Sequence, residues 1–301
     1  MTQAMGPTIY VTGNVNVDLI MGRLAEWPRF GTEIVLEHSE TRIGGAAGNT
    51  ALALQELGAR HRLIGSVGDD IFGKWLQSGF ASADWVVEKT PTTISVGIVN
   101  PSGERTFLTS QGHLSVYGVD DVLTLLPARA APGDVLWLEG CFLSPPLLAD
   151  YERLVDQAKA RGFALGLDTG WPPDGWQPEL RRRVLGWLRR LDHLVINEFE
   201  VIGLSGEQAQ DAAAAALRMA LPPDATLVVK RGPLGASGYR GGQAIDVPAP
   251  RVEVIDTIGA GDVFDAGYLA ALVDGADLEG ALRAGVATAS AAISTAPRRY
   301  R

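Results

Sequence analysis

The feature that most constrains this 301-residue chain is a series of short apolar runs that do not alternate with polar residues. Segments 9–11, 63–67, 135–138, 163–167, 194–196 and 227–229 therefore read as strands buried on both faces. Helical stretches lie between them. Segment 49–57 ends at Gly58, a good C-terminal stop. Segment 147–161 carries Leu148, Tyr151, Leu154, Val155 and Ala158 at helical spacing and stops before Gly162. An alanine-rich stretch covers 207–220, and helices over 262–273 and 278–294 close the chain. Strands alternating with helices predict an α/β fold, a central and mostly parallel sheet covered by helices.

Two regions break that rhythm. Segments 18–42 and 92–111 are rich in β-formers and turn residues, as in 32–37 and 93–99. The second turns at Asn100-Pro101-Ser102-Gly103 and returns through Arg105-Thr106-Phe107-Leu108, a hairpin signal. Both regions read as strands of a small accessory layer. With no repeat and no long linker, residues 1–301 read as a single domain with a lid from about 18–42 and 92–111.

Composition excludes several classes of function. Twenty-six Lys and Arg against 35 Asp and Glu leave a net charge of −9, which argues against general binding to a nucleic-acid backbone. The single Cys141 rules out an intramolecular disulfide. No apolar run approaches the ~20 residues of a membrane helix, and the N-terminus lacks a basic region followed by an apolar one. A cytoplasmic protein is expected, without a membrane partner. The arginines at 181–183 and 189–190 share a helix with Val184, Leu185, Trp187 and Leu188 and read as its solvated face. Arg298-Arg299-Tyr300-Arg301 reads as a tail. The four histidines, at 38, 61, 113 and 193, have no metal-ligand spacing.

Chemistry concentrates in two glycine-rich turns that open into helices. In Asp256-Thr257-Ile258-Gly259-Ala260-Gly261-Asp262, successive main-chain N–H groups and the positive end of a helix favour an anion, and Asp262 sets a carboxylate beside it. Gly44-Gly45-Ala46-Ala47-Gly48-Asn49 is the second turn. Its spacing is not that of the dinucleotide fingerprint. Upstream, Asn14, Asn16 and Asp18 follow the first strand, where ligands of open α/β sheets bind. Lys230 is one of only four lysines and stands at a further glycine-rich turn, Lys230-Arg231-Gly232-Pro233-Leu234-Gly235.

Together these segments resemble the ribokinase-like (PfkB) family of carbohydrate and nucleoside kinases. The motif order runs Gly13…Asn16…Asp18, Gly44-Gly45…Asn49, Gly68-Asp69-Asp70…Gly73, Asn197…Glu200, Lys230…Gly232…Gly235 and Asp256-Thr257…Gly259-Ala260-Gly261-Asp262, and covers essentially the whole chain. The resemblance implies a ribokinase-like three-layer sandwich with a small β lid. It implies Asp262 as general base toward a substrate hydroxyl, with Gly259, Ala260 and Gly261 as the anion hole for the transferred phosphoryl group. Asn16, Asp18, Gly44, Gly45 and Asn49 would contact the sugar, and Arg105 would reach it from the lid or pair with Glu104. ATP would be held by Asn197, Lys230, Gly232, Gly235 and Thr257. Glu200 would order Mg²⁺, largely through water. Asp256 would join a monovalent-cation site, as in K⁺-activated members, with the rest of that site near 291–297. Ala46 replaces the lysine that ribokinases proper carry after the paired glycines, which disfavours ribose. Glu139, after the strand 135–138, lies near the expected sugar pocket.

The expected activity is ATP- and Mg²⁺-dependent phosphorylation of a sugar hydroxyl. The alternatives are a nucleoside kinase, with Trp27, Phe30 and Phe107 as a base-binding surface, and a non-catalytic sugar- or nucleotide-binding member. The apolar runs 34–36 and 94–99 suggest a homodimer through the lid.

Overall fold

The computed structural model describes residues 6–24, 26–100 and 105–300, with the side chains of Arg23 and Arg105 outside that description. The described residues form thirteen strands: β1 (Ile9–Thr12), β2 (Asn16–Arg23), β3 (Ser39–Gly44), β4 (His61–Gly68), β5 (Ala83–Glu88), β6 (Ile94–Val99), β7 (Arg105–Thr109), β8 (Val135–Leu138), β9 (Ala164–Leu167), β10 (His193–Asn197), β11 (Thr226–Lys230), β12 (Ala236–Arg240) and β13 (Gln243–Val247). They also form ten α-helices: α1 (Ala46–Leu57), α2 (Ile71–Ser78), α3 (Val119–Leu125), α4 (Pro145–Ala149), α5 (Tyr151–Ala160), α6 (Pro178–Trp187), α7 (Glu198–Ser205), α8 (Gln210–Ala220), α9 (Ala260–Val273) and α10 (Leu278–Ile293).

Nine strands build one sheet in the order β13-β12-β11-β10-β9-β8-β1-β4-β5. All neighbours from β11 to β5 are parallel, and β12 and β13 add antiparallel at one edge. The all-apolar strands have the predicted cause. Leu136 and Leu138 of β8 enter one core, with Leu154, Val184 and Val201 of the helices. Val135 and Trp137 of the same strand enter the other, with Leu54, Val263 and Leu282. Alternate side chains thus serve opposite helical layers, each fully buried Leu or Val contributing roughly 1.5–3 kcal/mol. This is the expected three-layer sandwich.

A second, four-stranded sheet has the order β3-β2-β6-β7, with β2 and β6 parallel and the other pairs antiparallel. It contains the predicted hairpin strands β6 and β7; the turn residues 101–103 lie outside the described residues. Asp70 ties this sheet to the large one. It caps α2 by accepting from the Gly73 N–H at 2.8 Å, and it accepts from the Thr92 N–H and hydroxyl at 2.7 and 2.6 Å, just ahead of β6.

Three expectations are corrected. Segment 32–37 is an irregular, largely exposed stretch, because β2 already has β3 and β6 on its two edges and its β-formers find no strand to pair with. The helix expected over 147–161 is two helices, broken at Asp150, whose φ of −121° is not helical. The arginines at 181–183 do not simply face solvent. Arg181 donates to the Gly203 carbonyl at 3.0 Å and Arg183 to that of Leu148 at 2.6 Å.

Parallel register brings polar residues to one edge of the large sheet. Asn197 pairs with Lys230 at the carboxyl ends of β10 and β11. Glu139 and Asp168 follow β8 and β9 directly, their N–H groups donating to Thr12 and Leu138 carbonyls at 3.1 and 3.0 Å. That edge is where open α/β sheets bind ligands.

Candidate active site

Helix α9 starts at Ala260 behind Gly259, which has φ of +68°. This left-handed conformation suits glycine, and a Cβ there would stand 2.8 Å from Asn49 Nδ2. Asp262 occupies the first turn, where main-chain N–H groups lack intrahelical acceptors. Two residues of α1 hold it. Asn49 Nδ2 donates to Asp262 Oδ2 at 2.7 Å, and the Thr50 hydroxyl donates to the Asp262 carbonyl at 3.1 Å. Asp262 keeps some contact with solvent, yet enough protein surrounds it that burial raises its pKa to about 7. The Asn49 bond works against that rise, and the charge of Asp168 adds to it. A carboxyl that ionises near neutrality at a helix mouth suits a general base.

The opposite side of the site is built by the chain leaving β1. Asn14 Nδ2 donates to Asn16 Oδ1 at 3.1 Å, and Asn16 Nδ2 donates to Asp18 Oδ1 at 2.7 Å. Asn14 Oδ1 accepts from the Ala46 N–H at 3.2 Å, joining this relay to the start of α1. Asp18 is buried, which pushes its pKa up to about 6 against the Asn16 bond and the charge of Arg42. It lies opposite the first glycine turn, where a Cβ at Gly44 would stand 2.1 Å from the carboxylate carbon. Only glycine leaves the carboxylate its place. Asp18 and Asn49 line an open groove of about 1040 Å³ between the small sheet and the C-terminal segment. The groove and α9 therefore meet at Asn49, which lines one and bonds to Asp262 on the other.

Beneath the α9 turn lies a buried charge network. Lys230 Nζ is 2.7 Å from Asp168 Oδ2 and 3.1 Å from Asp265 Oδ1. It also sits 3.2 Å from where a Cβ on Gly261 would be. The expected role of Lys230 as a direct ATP ligand is therefore revised. Its ammonium underlies the α9 turn and is already paired, because a lone ammonium at that depth would be too costly. One ammonium can balance only part of the surrounding acid. Burial works against ionised Asp168, yet the Lys230 charge and hydrogen bonds from Asp265 and Lys230 hold its pKa below the usual range. Burial pushes Asp265 and Glu139 well above theirs. Glu139, Asp168 and Asp265 are close enough together to resemble a metal cluster, but Lys230 already fills the role of the cation.

The remaining predicted residues divide. Asn197 and Glu200 form a reciprocal cap at the start of α7. Asn197 Oδ1 accepts from the Glu200 N–H at 2.9 Å, and Glu200 Oε2 accepts from the Asn197 N–H at 2.8 Å. This local role is legible in the Asn-x-x-Glu spacing itself. Burial and Asp168 raise the Glu200 pKa to about 7, against the Lys230 charge. A carboxylate beside Asp168, Lys230 and Asp262 is of the hard-oxygen type that suits Mg²⁺ held through water. Gly232 and Gly235 bracket an exposed turn closed by a bond from the Gly235 N–H to the Gly232 carbonyl at 3.0 Å. Thr257 is exposed and lines the groove. The Arg105 side chain lies outside the described residues.

Asp256 does not fit a monovalent-cation site. Its Oδ2 accepts from Arg42 and, at 3.2 Å, from Arg298; its Oδ1 accepts from the Ile258 N–H at 3.0 Å. The C-terminal segment is thus more than a tail, since Arg298 and Tyr300 line the groove. Sequence reasoning assigned no site role to Asp168, Asp265, Arg42 and Arg298. The parallel register could have flagged Asp168, which directly follows an apolar strand.

Residues 7–297 match the family described as pfkB family carbohydrate kinase. A fructokinase of Klebsiella pneumoniae is 29% identical over 286 residues, spanning 89% of this chain and 85% of that protein. Among solved structures, an Arabidopsis thaliana ribokinase complexed with ribose and ATP superposes with a TM-score of 0.77 at 23% identity, covering 97% of this chain and 94% of that one. An adenosine kinase of Sinorhizobium meliloti superposes at 0.78 with 24% identity, covering 98% and 96%.

Proposed function

This chain belongs to the pfkB family of carbohydrate kinases, and from that premise we propose that it transfers the γ-phosphoryl group of ATP to a hydroxyl of a small sugar. The observation that carries this reading is the junction of two sites at one residue: Asn49 lines the groove and bonds to the carboxylate of Asp262. Asp18 and Asn16 bind acceptor hydroxyls, and their relay from Asn14 fixes their direction. Asp262 takes the proton of the hydroxyl as its oxygen attacks phosphorus. The N–H groups after Gly259 stabilise the charge on the transferring group from the front, and Lys230 adds positive potential from below.

Glu200 would hold Mg²⁺ through water, and the ion would supply charge neutralisation for the nucleotide phosphates. Gly232, Gly235, Thr257 and Asn197 border the nucleotide. The chain works as one domain in which the small sheet closes over the acceptor and excludes water. Its outward Phe107 and Leu108, 44% and 52% exposed, suit pairing with a second copy, and a monomer in light scattering at micromolar concentration would remove that pairing.

A nucleoside acceptor is the second reading, favoured by one observation: Trp27, Phe30 and Phe107 are all exposed on or beside the small sheet. The test is ADP release by the purified protein with fructose, ribose, 2-keto-3-deoxygluconate, adenosine and guanosine. Turnover with a sugar is expected. Turnover with nucleosides alone would replace the first reading, and binding without ADP release would end both.

A further inference from the structure

The loop that leads into the anion-binding turn is held by two arginines from opposite sides. Arg42 comes from β3 of the small sheet, where it lies in register with Asp18. Arg298 comes from the segment after α10. Both donate to Asp256 Oδ2, and Arg298 also donates to the Ile258 carbonyl at 2.7 Å, one residue before Gly259. Neither guanidinium stands open, with side chains 27% and 20% exposed.

Other oxygens that could complete a cage for a cation are engaged as well. The Ile293 carbonyl accepts from the N–H groups of Ile255 and Asp256 at 2.8 and 3.2 Å. The Ala291 carbonyl accepts from the Thr295 hydroxyl at 2.9 Å. A potassium ion would have to displace both guanidiniums or enter beside two like charges. The balance of charge is also complete, because Arg42 donates its second arm to Glu40 at 2.6 Å. Two positive groups here meet two negative ones.

We propose that Arg298, assisted by Arg42, is a built-in cation that holds the 256–258 loop against the anion-binding turn, so that this protein works without a monovalent cation from solution. Arg298 is a positioning residue, since it acts through the main chain of Ile258 and the carboxylate of Asp256 and touches no reacting atom. The planar fork of arginine suits the task, because one guanidinium reaches a carboxylate and a carbonyl together. Because Arg42 belongs to the small sheet, displacement of that sheet withdraws one of the two charges, so the loop is fully braced only when the sheet is in place over the groove.

The inference rests on the kinase reading for one of its readouts and not for the other. The experiment compares wild type, Arg298→Ala and Arg298→Lys in about 100 mM KCl, CsCl or choline chloride at constant ionic strength. Both ADP release and melting temperature are followed. Wild type is expected to change by less than about twofold in rate between the salts and to melt at one temperature in all three. Arg298→Ala, which removes the bonds to Asp256 and to the Ile258 carbonyl, is expected to lose about tenfold in kcat/KM for ATP. Part of that loss should return with K⁺ or with millimolar guanidinium ion, and Arg298→Lys should keep most of the rate.

A wild type that K⁺ activates or stabilises over choline would overturn the proposal. So would an Arg298→Ala protein that loses nothing, or one whose loss neither ion restores, which would mark a merely structural role. If Arg298→Ala does not fold, the wild-type salt series and Arg298→Lys still decide. A wild type that phosphorylates no acceptor would end the kinase reading, and the melting series would then judge the built-in cation alone.

Discussion

The two glycine-rich turns look alike in sequence and do different work. Each opens a helix, α1 or α9, and each approaches a carboxylate closely. At Gly44 the reason for glycine is space, because the Asp18 carboxylate lies where a side chain would begin. At Gly259 the reason is both conformation and space: φ is +68°, and Asn49 stands close by. The first main-chain donor after each turn is engaged: the Ala46 N–H donates to Asn14 Oδ1 and the Ala260 N–H to the Thr257 carbonyl, both at 3.2 Å. In the proposed function the Gly44-Gly45 turn makes room for the Asp18 carboxylate that faces the acceptor. The α9 turn sits above Lys230 and beside Asp262, and in the proposed function the main-chain N–H groups at the start of α9 stabilise the transferring phosphoryl group. A glycine turn into a helix is therefore not a function by itself; its surroundings decide what it can hold.

That contrast can be broken by exchange of single atoms. Gly259→Ala places a Cβ in a left-handed conformation against Asn49 and disturbs both the first N–H groups of α9 and the hold on Asp262. We expect kcat to fall about 10²-fold, the scale of losing one oxyanion-type donor, with acceptor KM changed little. Steady-state kinetics with saturating ATP checks it. Gly44→Ala pushes the Asp18 carboxylate out of place and should instead raise acceptor KM about tenfold while kcat changes less, the signature of lost binding common to ground and transition states. If the two substitutions gave the same pattern, the division of labour between the turns would be wrong.

A smaller effect separates the two carboxylates by pH. Asp262 must be ionised to act as a base, and its pKa is raised to about 7, so kcat should rise with pH through about 7 and level off above it. Asp18, raised only to about 6, should govern acceptor binding at lower pH. The same shift has a stability sign. The folded state keeps a proton on Asp262 that the unfolded chain releases above its ordinary value, so stability falls as pH rises through about 7. Asp262→Asn should therefore raise the melting temperature more at pH 8 than at pH 6, a difference of a few degrees at most.

Much of this arrangement was legible in the sequence, and the physical reasons are clear. Strands buried on both faces leave an uninterrupted apolar signature, so β1, β4, β8, β9, β10 and β11 could be read directly. The strands β5, β12 and β13 could not, because β5 and β13 lie at the sheet edges and all three carry mixed burial. The glycine turns stood out because their spacing is local. What stayed hidden depends on neighbours in space. Asp168 and Lys230 lie 62 positions apart and meet only because β9 and β11 flank β10. Asp265 sits among apolar residues of α9 and reads from sequence as an interruption of the core. Arg298 looked like part of a basic tail, and nothing local indicates that it returns to Asp256, 42 positions away. Asn197 and Glu200 show the reverse case, in which a pattern assigned to metal also has a complete local explanation as a helix cap.

The account turns on the acid at the mouth of α9. Its most direct measurement is single-turnover phosphoryl transfer by Asp262→Asn with acceptor and MgATP both saturating, alongside the affinity of the variant for each. We expect transfer to slow by roughly 10²–10⁴-fold with both affinities kept within about threefold. A variant that transfers phosphate at the wild-type rate would show that Asp262 does not take the proton.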